Sequence, residues 1–422
     1  MSHKAIEKYL ANYAEIEIQV LNKIKQSYQH ACIIPICNEA FDCLETIFSK
    51  IKTDKLLIIT VINSPKSHEN SKTWQIHNKK WIETFEQSIS SSFKLNQHMT
   101  LLKFNKFHDV ILIDRNTQGL QIDEKQGVGL ARKIAADCAL KLFQLGKIIN
   151  PWIFSTDADV ILPITYFTHD YQSFQNYSAI VLDFKHITND KKLHQLQYLY
   201  DLKMRYYHAG ITYAGSQYDY IPLGSALIVN MLSYAQVRGF PKKNAAEDFY
   251  LLNKLAKTKP IKYKIKESTI TIKSRLSNRV PFGTGPALNH ISSLTSLDEY
   301  TFYHPNCFTL LKHWHAFLHS LWQEELIICI PKEKNLQELY QYFNCAEVFK
   351  KSQNQITSRQ RWSQFVHQWF DAFRTLKAIH FFDKKFARLT HKQLLNHPSF
   401  AKVNGSLLQE FIERQYGITL HT

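Results

Sequence analysis

The sequence predicts an α/β fold built on a parallel sheet. Four short apolar runs, ACIIPI, KLLIITVIN, DVILIDR and PWIFS, alternate with segments of helical periodicity. Apolar runs of about four to eight residues are typical of strands that are buried on both faces of a parallel sheet. Each run ends in polar or turn-forming residues, namely CNE, NSP, DRN and DAD. Because ligands bind outside the carboxyl ends of such strands, these four ends are the predicted site.

The elements up to the fourth strand follow from these runs and from the helical periodicity between them. In chain order they are a helix over 5–28, a strand over 31–36, a helix opened by Asn38, a strand over 55–63, a helix over 73–89, a strand over 109–115, a helix over about 128–145 and a strand beginning at 151.

Beyond residue 160 the pattern becomes mixed. Strands are predicted over 178–186, 221–230 and 267–275, and helices near 190–206 and 245–257. After about residue 300 the strand signals fade, and helical periodicity continues to the end of the sequence.

Length and composition indicate a globular protein. The 422 residues are 45% hydrophobic, and no apolar run approaches the length of a membrane span. The first residues lack the apolar core of a signal peptide. The sequence has seven Cys, an odd number, and none of them are spaced as a C-x-x-C pair. This pattern indicates free thiols in a reducing compartment. We therefore expect a cytoplasmic protein.

The net charge of +16 results from 52 Lys and Arg against 36 Asp and Glu. Such an excess attracts the phosphates of a nucleotide, a nucleic acid or an anionic membrane, or it is simply a solvated basic surface. In the C-terminal region, Trp362, Phe365, Trp369 and Phe373 recur at helical spacing. A buried face is the favoured interpretation, and contact with anionic lipid at the inner face of the membrane is the alternative.

Two aspartates, Asp157 and Asp159, follow the fourth strand in WIFSTDADVILP. Carboxylates at positions i and i+2 of a strand end can face a divalent cation and a ribose from the same loop. Their hard oxygen atoms suit Mg²⁺ or Mn²⁺, which usually share their coordination shell with substrate phosphates. For an isolated D-x-D motif, a capping Asp followed by a turn Asp is the alternative.

Other motifs lie at neighbouring strand and helix ends. IIPICNEA places Pro35, Asn38 and Glu39 after the first strand. GVGLARKIAAD puts two glycines and Arg132 at a helix start, where backbone N–H groups and a guanidinium can meet phosphate oxygens. AAEDFYLL places an E-D pair, residues 247–248, at a later helix start.

In this order, P-x-x-N-E, G-x-G-x-A-R, D-A-D and E-D resemble the motifs of family 2 glycosyltransferases with the GT-A fold, over roughly residues 30–290. The resemblance implies a mixed α/β sheet with a Rossmann-like N-terminal half. It also implies a metal-dependent transfer of a sugar from a nucleotide-diphosphate sugar to an acceptor hydroxyl, with inversion as the favoured outcome and retention as the alternative. The implied site consists of Asp248 as base with Glu247 beside it, Asp159 and Asp157 for Mn²⁺ or Mg²⁺, and Pro35, Asn38, Glu39, Arg132 and Asp157 for the nucleotide sugar.

A basic segment downstream of the E-D helix, SRLSNRVPFGTG, contains Arg275 and Arg279. These two arginines are candidates for closing over the diphosphate, and surface arginines beside a structural turn are the alternative. The sequence departs from the family after the second strand, where Asn63 replaces the usual Asp that contacts the base. The stretch over 65–108 is long enough to contain an insertion, and no Q-x-x-R-W motif follows the E-D pair.

The resemblance implies a GT-A catalytic domain over 1–300, with a nucleotide half over about 30–160 and an acceptor half over about 161–300, followed by a helical region over 301–422. The expected partners are a nucleotide-sugar donor and a carbohydrate, small-molecule or lipid-linked acceptor, without nucleic acid. A sugar-1-phosphate nucleotidyltransferase is an alternative, but it would require a Gly-rich loop after the first strand, and PICNEAFD has no Gly. A non-catalytic protein that binds nucleic acid or membrane is a second alternative, and it does not explain the aspartates.

Overall fold

The computed structural model describes residues 2–51, 53, 55–321, 329–353, 356–403 and 405–416. The chain forms two compact units. The first comprises Met1–Asp190 and Pro222–Pro286, and the second comprises Lys191–Ile221 and Ala287–Thr422. The stretch over 191–221, which the sequence analysis placed in the acceptor half, thus packs with the C-terminal helices.

The strands all belong to the first unit. In chain order they are β1 (His30–Ile36), β2 (Leu56–Asn63), β3 (Ser92–Asn96), β4 (Met99–Lys103), β5 (His108–Arg115), β6 (Trp152–Ser155), β7 (Val160–Ile161), β8 (Ala179–Val181), β9 (Phe184–Ile187), β10 (Leu227–Asn230), β11 (Ile261–Tyr263) and β12 (Ile270–Lys273).

The described α-helices are, in chain order, α1 (Ser2–Asn12), α2 (Cys43–Phe48), α3 (Ser71–Ser88), α4 (Gly127–Gln144), α5 (Lys191–Tyr213), α6 (Met231–Gln236), α7 (Glu247–Leu255), α8 (Thr284–Ser293), α9 (Asn306–Ser320), α10 (Lys334–Tyr342), α11 (Cys345–Gln353), α12 (Arg359–Trp369), α13 (Ala372–Asp383), α14 (His391–Leu395), α15 (Phe400–Val403) and α16 (Ser406–Tyr416). Short 3₁₀ helices lie at Ile16–Lys23, Tyr171–Phe174, Gly224–Ala226 and Leu297–Glu299.

The main sheet has the order β11-β8-β10-β6-β1-β2-β5-β4-β3. Strands β6, β1, β2 and β5 are parallel neighbours, as the sequence predicts. Strand β10 runs antiparallel between β6 and β8, so the sheet is mixed. The predicted fold class is confirmed: a mixed α/β sheet with a Rossmann-like N-terminal half, plus a helical C-terminal region.

A small second sheet has the order β7-β12-β9. Strand β7 follows the two aspartates, and it pairs antiparallel with β12 through Val160 and Ile272. This pairing ties the loop after β6 to the segment after β12, although the two are far apart in the sequence.

Several local predictions differ from the structure. The helix predicted over 5–28 is α1 followed by the 3₁₀ helix at Ile16–Lys23, and the strand predicted over 178–186 is divided between β8 and β9. The helix expected to open at Asn38 begins only at Cys43, and Asn38 itself has a positive φ of 54°. The insertion over 65–108 contains α3 and the antiparallel pair β3–β4, which extends the sheet beyond β5. The sequence analysis found the helix and missed the strand pair.

The second unit has a helical core that includes three of the four aromatic residues of the predicted stripe. Trp362 and Trp369 are buried in this core, and Phe365 packs against it. These three residues of α12 therefore form a packing face, whereas Phe373 lies in the next helix, α13. Among the described residues, every helix is too short or too polar to cross a membrane. The described cysteines are free thiols, and most of them are buried.

Candidate active site

The candidate site lies at the carboxyl edge of the parallel strands, where the sequence predicts it. Glu39 follows β1, Asn63 ends β2, and Asp157 and Asp159 follow β6. Because β6, β1 and β2 are adjacent and parallel, their ends reach the same edge of the sheet. The N terminus of α7 carries Glu247 to the same group of side chains, as its contact with Arg132 shows.

Arg275 joins two of the predicted acids. It forms a two-pronged ion pair with Glu39, with both N–O distances at 2.6 Å. Its Nη2 atom also lies 2.8 Å from Oδ2 of Asp159. Arg279 donates to the carbonyl oxygen of Cys37 at 2.7 Å and contacts Glu39 as well. The basic segment therefore lies against the predicted acids, and the expectation that its two arginines close over a diphosphate stays a prediction.

Arg132 joins the other acids and is itself buried. Its Nη2 donates to Asp157 at 2.6 Å, its Nε to Glu247 at 2.9 Å and its Nη1 to the hydroxyl of Ser155 at 2.9 Å. A Cβ at Gly224 would lie 2.7 Å from Nη2, so a glycine is needed where the guanidinium crosses the backbone. Arg132 thus ties the D-x-D loop to α7, and its predicted contact with a diphosphate stays a prediction.

Glu247 and Asp248 occupy the first turn of α7. The residue before them, Ala246, has φ 56°, a strained conformation for a non-glycine residue and one that clusters at functional sites. Burial raises the pKa of Glu247 to about 7, and the charge of Asp248 adds to this rise. Burial also raises the pKa of Asp248, which moves it toward the range of a general base that works at neutral pH.

Burial perturbs the acids on the other side of the site too. It raises the pKa of Glu39 to about 7, against the lowering effect of Arg275. It raises the pKa of Asp159 to about 6, again against Arg275 and with further rises from the charges of Asp157 and Glu39. Titratable groups perturbed by burial and by specific charged partners cluster at functional sites.

These groups form what we call the acid–arginine cluster. Its members are Glu39, Arg132, Asp157, Asp159, Glu247, Asp248, Arg275 and Arg279. Its five carboxylates and three guanidinium groups leave two negative charges in excess when all of them are ionised. The side chains of Asp157 and Arg275 are each 35% exposed, so the cluster reaches solvent and is not sealed in the interior.

The cluster fits a divalent cation that is shared with a ligand. Within the described ranges, no three His, Cys, Asp or Glu side chains converge as a ready-made metal site. Mg²⁺ and Mn²⁺ are typically held by one or two carboxylates together with substrate phosphates, so Asp159 and Asp157 suffice. The two excess negative charges also match one divalent cation. Each of these aspartates, however, is paired with an arginine here.

The helix start at the two glycines does not present its amides to a ligand. The N–H of Gly129 donates to the carbonyl of Lys243 at 2.9 Å. A Cβ at Gly129 would lie 2.4 Å from the carbonyl oxygen of Pro241, and one at Gly127 would lie 2.6 Å from Asn244 Cα. The N–H groups of Gly127 and Gly129 are thus already paired within the chain, so the expectation that they meet phosphate oxygens finds no support at these two residues. The glycines instead let two backbones approach closely.

Asn78 of α3 is a site residue that the sequence analysis missed. It is fully buried, and its amide accepts from the N–H of Asn38 at 2.8 Å. It also donates to the carbonyl of Asn63 at 2.9 Å and to the side chain of Asn116 at 3.2 Å. Asn78 thus fixes the chain after β1, β2 and β5. A signal was present, because Asn78 interrupts the stripe of Trp74, Trp81 and Phe85.

The remaining predicted residues stand at the same edge. Pro35 lies in β1 and is half-buried. Asn63 is the last residue of β2 and is 8% exposed. Contact of these residues with a nucleotide stays a prediction.

No protein-family model and no curated protein matches the chain. It is similar to the solved structure of residues 1–349 of TarS from S. aureus in complex with UDP-GlcNAc, at 12% identity and a TM-score of 0.34, over 92% of each chain. It is also similar to the mannosyltransferase PcManGT from Pyrobaculum calidifontis in complex with GDP-Man and Mn²⁺, at 13% identity and a TM-score of 0.37, over 91% of this chain and 95% of that one.

A third similar structure is GalNAc-T7 with UDP, GalNAc and Mn²⁺, at 12% identity and a TM-score of 0.34, over 78% of this chain and 57% of that one. These solved proteins are glycosyltransferases of the GT-A type. At TM-scores this low, the similarity supports no conclusion about the function of this chain.

Proposed function

We propose that this protein is a metal-dependent glycosyltransferase that moves a sugar from a nucleotide-diphosphate sugar to a hydroxyl acceptor, with inversion. The observation that carries the proposal is the acid–arginine cluster. It unites the P-x-x-N-E, D-x-D and E-D motifs and the basic segment at the carboxyl edge of the sheet.

In this proposal Asp159, with Asp157, holds Mn²⁺ or Mg²⁺ together with the donor diphosphate. The bound cation supplies positive charge that offsets the negative charge of the departing nucleoside diphosphate. Arg275 and Arg279 contribute further positive charge from the segment that closes over the acids. Pro35, Asn38, Glu39 and Asn63 line the nucleotide side, where Asn78 fixes the backbone.

Asp248 acts as the general base on the acceptor hydroxyl, and Glu247 holds α7 in place through Arg132. A base needs a pKa near the working pH, and the burial that raises the pKa of Asp248 acts in that direction. The acceptor is a carbohydrate, a small molecule or a lipid-linked hydroxyl compound. For a lipid-linked acceptor we propose that the protein works at the inner face of the membrane.

The test screens UDP- and GDP-sugars with Mn²⁺ by thermal shift. A ligand at about 100 times its Kd stabilises the native state by about 2.7 kcal/mol, so the matching donor will stand out. We expect Asp159→Asn to lose the part of the shift that depends on Mn²⁺. We expect Asp248→Asn to keep the shift and to lose about 10²- to 10⁴-fold in transfer rate.

Asp123→Asn is the matched control, because Asp123 is an exposed aspartate outside the cluster. It should leave both the shift and the transfer rate unchanged. If no nucleotide sugar raises the melting temperature, or if Asp159→Asn binds the donor equally well with Mn²⁺ and with EDTA, the proposal is wrong.

A further inference from the structure

Arg275 stands where a cation would be expected. Its Nη2 atom lies 2.6 Å from Oε1 of Glu39 and 2.8 Å from Oδ2 of Asp159, so one nitrogen bridges two carboxylates. Its Nη1 atom donates to the second oxygen of Glu39 at 2.6 Å. The guanidinium thus reduces the repulsion between these two acids.

The backbone holds Arg275 at this position. The N–H of Lys273, the last residue of β12, donates to the carbonyl of Asp159 at 3.1 Å. The antiparallel pairing of β7 and β12 continues from this bond. Arg275 follows Lys273 by two residues, so its side chain starts beside Asp159. Arg275 is part of the chain, so its concentration near the Asp159 carboxylate is fixed and does not vary with the concentration of dissolved cations.

A metal ion and the Arg275 guanidinium compete for Oδ2 of Asp159. A divalent cation must approach a carboxylate oxygen to about 2.0–2.2 Å, and the Nη2 atom of Arg275 lies 2.8 Å from this oxygen. The like charges of the two cations would repel strongly at this separation. Arg275 therefore opposes the binding of a cation through Oδ2.

We propose that Arg275 competes with the divalent cation for Asp159 and thereby sets the affinity of the protein for that cation. The second half of the inference rests on the proposed function: a donor diphosphate offers Arg275 a new anionic partner and so favours its release. Nucleotide and cation then bind cooperatively. By linkage, each raises the affinity for the other by the same factor.

The test measures binding of Mn²⁺ alone to the full chain, by the loss of the free-ion signal in electron paramagnetic resonance. If Asp159 is free of Arg275 in about one molecule in ten, the apparent affinity for Mn²⁺ is about tenfold lower than that of a site that is always free. We therefore expect Arg275→Gln to bind Mn²⁺ about tenfold more tightly than the wild type. Arg275→Lys keeps the positive charge but loses the planar guanidinium, so we expect a smaller gain in Mn²⁺ affinity. This variant replaces Arg275→Gln in the test if the Gln variant does not fold.

Arg279→Gln is the charge-matched comparison. It removes the same charge from the same segment, and Arg279 contacts Glu39, but across the described part of the chain it makes no ion pair with Asp159. We expect Arg279→Gln to gain less Mn²⁺ affinity than Arg275→Gln, because it removes charge from the cluster without freeing Asp159. Equal affinity in wild type and Arg275→Gln, or an equal gain in both Arg variants, would overturn the inference.

The experiment separates this inference from the proposed function. Tighter Mn²⁺ binding by Arg275→Gln in the absence of nucleotide supports the competition, even if no nucleotide sugar binds. A nucleoside diphosphate added to the wild type should raise its Mn²⁺ affinity by a larger factor than it does in Arg275→Gln. Equal factors would contradict the coupling and leave the competition standing.

Discussion

Two neighbouring residues of α4, Arg132 and Lys133, enter two very different charge networks. Arg132 belongs to the acid–arginine cluster, which carries excess negative charge and reaches solvent. Lys133 belongs to a sealed network in which its ammonium pairs with Asp137 at 3.0 Å. Asp137 is fully buried, and it also accepts from the hydroxyls of Tyr9 and Tyr234.

The difference separates a charge-balanced network from the candidate site. Around Lys133, two anions, Asp137 and Glu15, meet two cations, Lys133 and Lys242, and tyrosine hydroxyls satisfy further hydrogen-bonding capacity of Asp137. The acid–arginine cluster has five carboxylates against three guanidinium groups, so its acids are not all matched by a counter-charge. Uncompensated, partly exposed charge is what a charged ligand can bind.

The largest effect should come from breaking the sealed network. Asp137→Ala removes the nearer acid of the buried Lys133 and leaves it only the more distant Glu15 at 3.9 Å, and we expect a loss of about 3–5 kcal/mol in the free energy of unfolding. Asp157→Ala is the comparison in the open cluster. Because the Asp157 side chain is 35% exposed and Arg132 keeps Glu247, we expect a loss of about 1 kcal/mol or less. Urea unfolding measures both, and equal losses would remove the distinction between the networks.

A smaller effect should follow from crowding Arg132. The Cβ added by Gly224→Ala would lie 2.7 Å from the Nη2 atom of Arg132, so we expect a loss of about 1–3 kcal/mol in the free energy of unfolding. Gly405→Ala is the control, because a Cβ there meets nothing within 4 Å. It should change stability by about 0.5 kcal/mol or less. If Gly224→Ala is equally mild, the fit of Arg132 over the backbone is looser than the structure indicates.

The last effect concerns pH. Burial raises the pKa of Glu39 to about 7, from a usual value of 4.5, so the native state binds a proton more tightly than the unfolded state. Native stability is therefore favoured below the unfolded pKa and falls as the pH rises toward the folded one. We expect the free energy of unfolding to fall by about 1 kcal/mol per pH unit between pH 4.5 and pH 7 through this group.

Urea unfolding across that pH range provides the measurement. Glu39→Gln should flatten the decrease, whereas Glu124→Gln should leave it unchanged, because Glu124 is an exposed acid outside the acid–arginine cluster that accepts a hydrogen bond from Ser67. If the free energy of unfolding changes with pH in the wild type as it does in Glu39→Gln, burial does not raise the pKa of Glu39.

Much of the fold could be predicted from the sequence, because strand signals are local. The runs that became β1, β2, β5 and β6 were located within a few residues, since each is a short apolar segment bounded by polar residues. The place of β10, antiparallel between β6 and β8, and the β3–β4 pair could not be predicted in the same way. Their pairing partners are fixed by the packing of the whole sheet rather than by their own residues.

The chemical types of the site residues were also readable. The acids and arginines of the acid–arginine cluster were all singled out from motifs at strand and helix ends. Their partners were not: Arg275 meets Glu39 across 236 positions, and Arg132 meets Glu247 across 115. Nor did the sequence reveal that the glycines of α4 pack against residues 241–244, or that Asn78 holds three strand ends.

The sequence by itself determined where strands end and which charged groups stand at those ends, because apolar runs and turn residues act over a few positions. The tertiary structure alone decided which acid each arginine neutralises, since that depends on the strand order and on the pairing of β7 with β12. The pairing of Arg275 with Asp159, and with it the competition for a cation, therefore arises from the folded sheet.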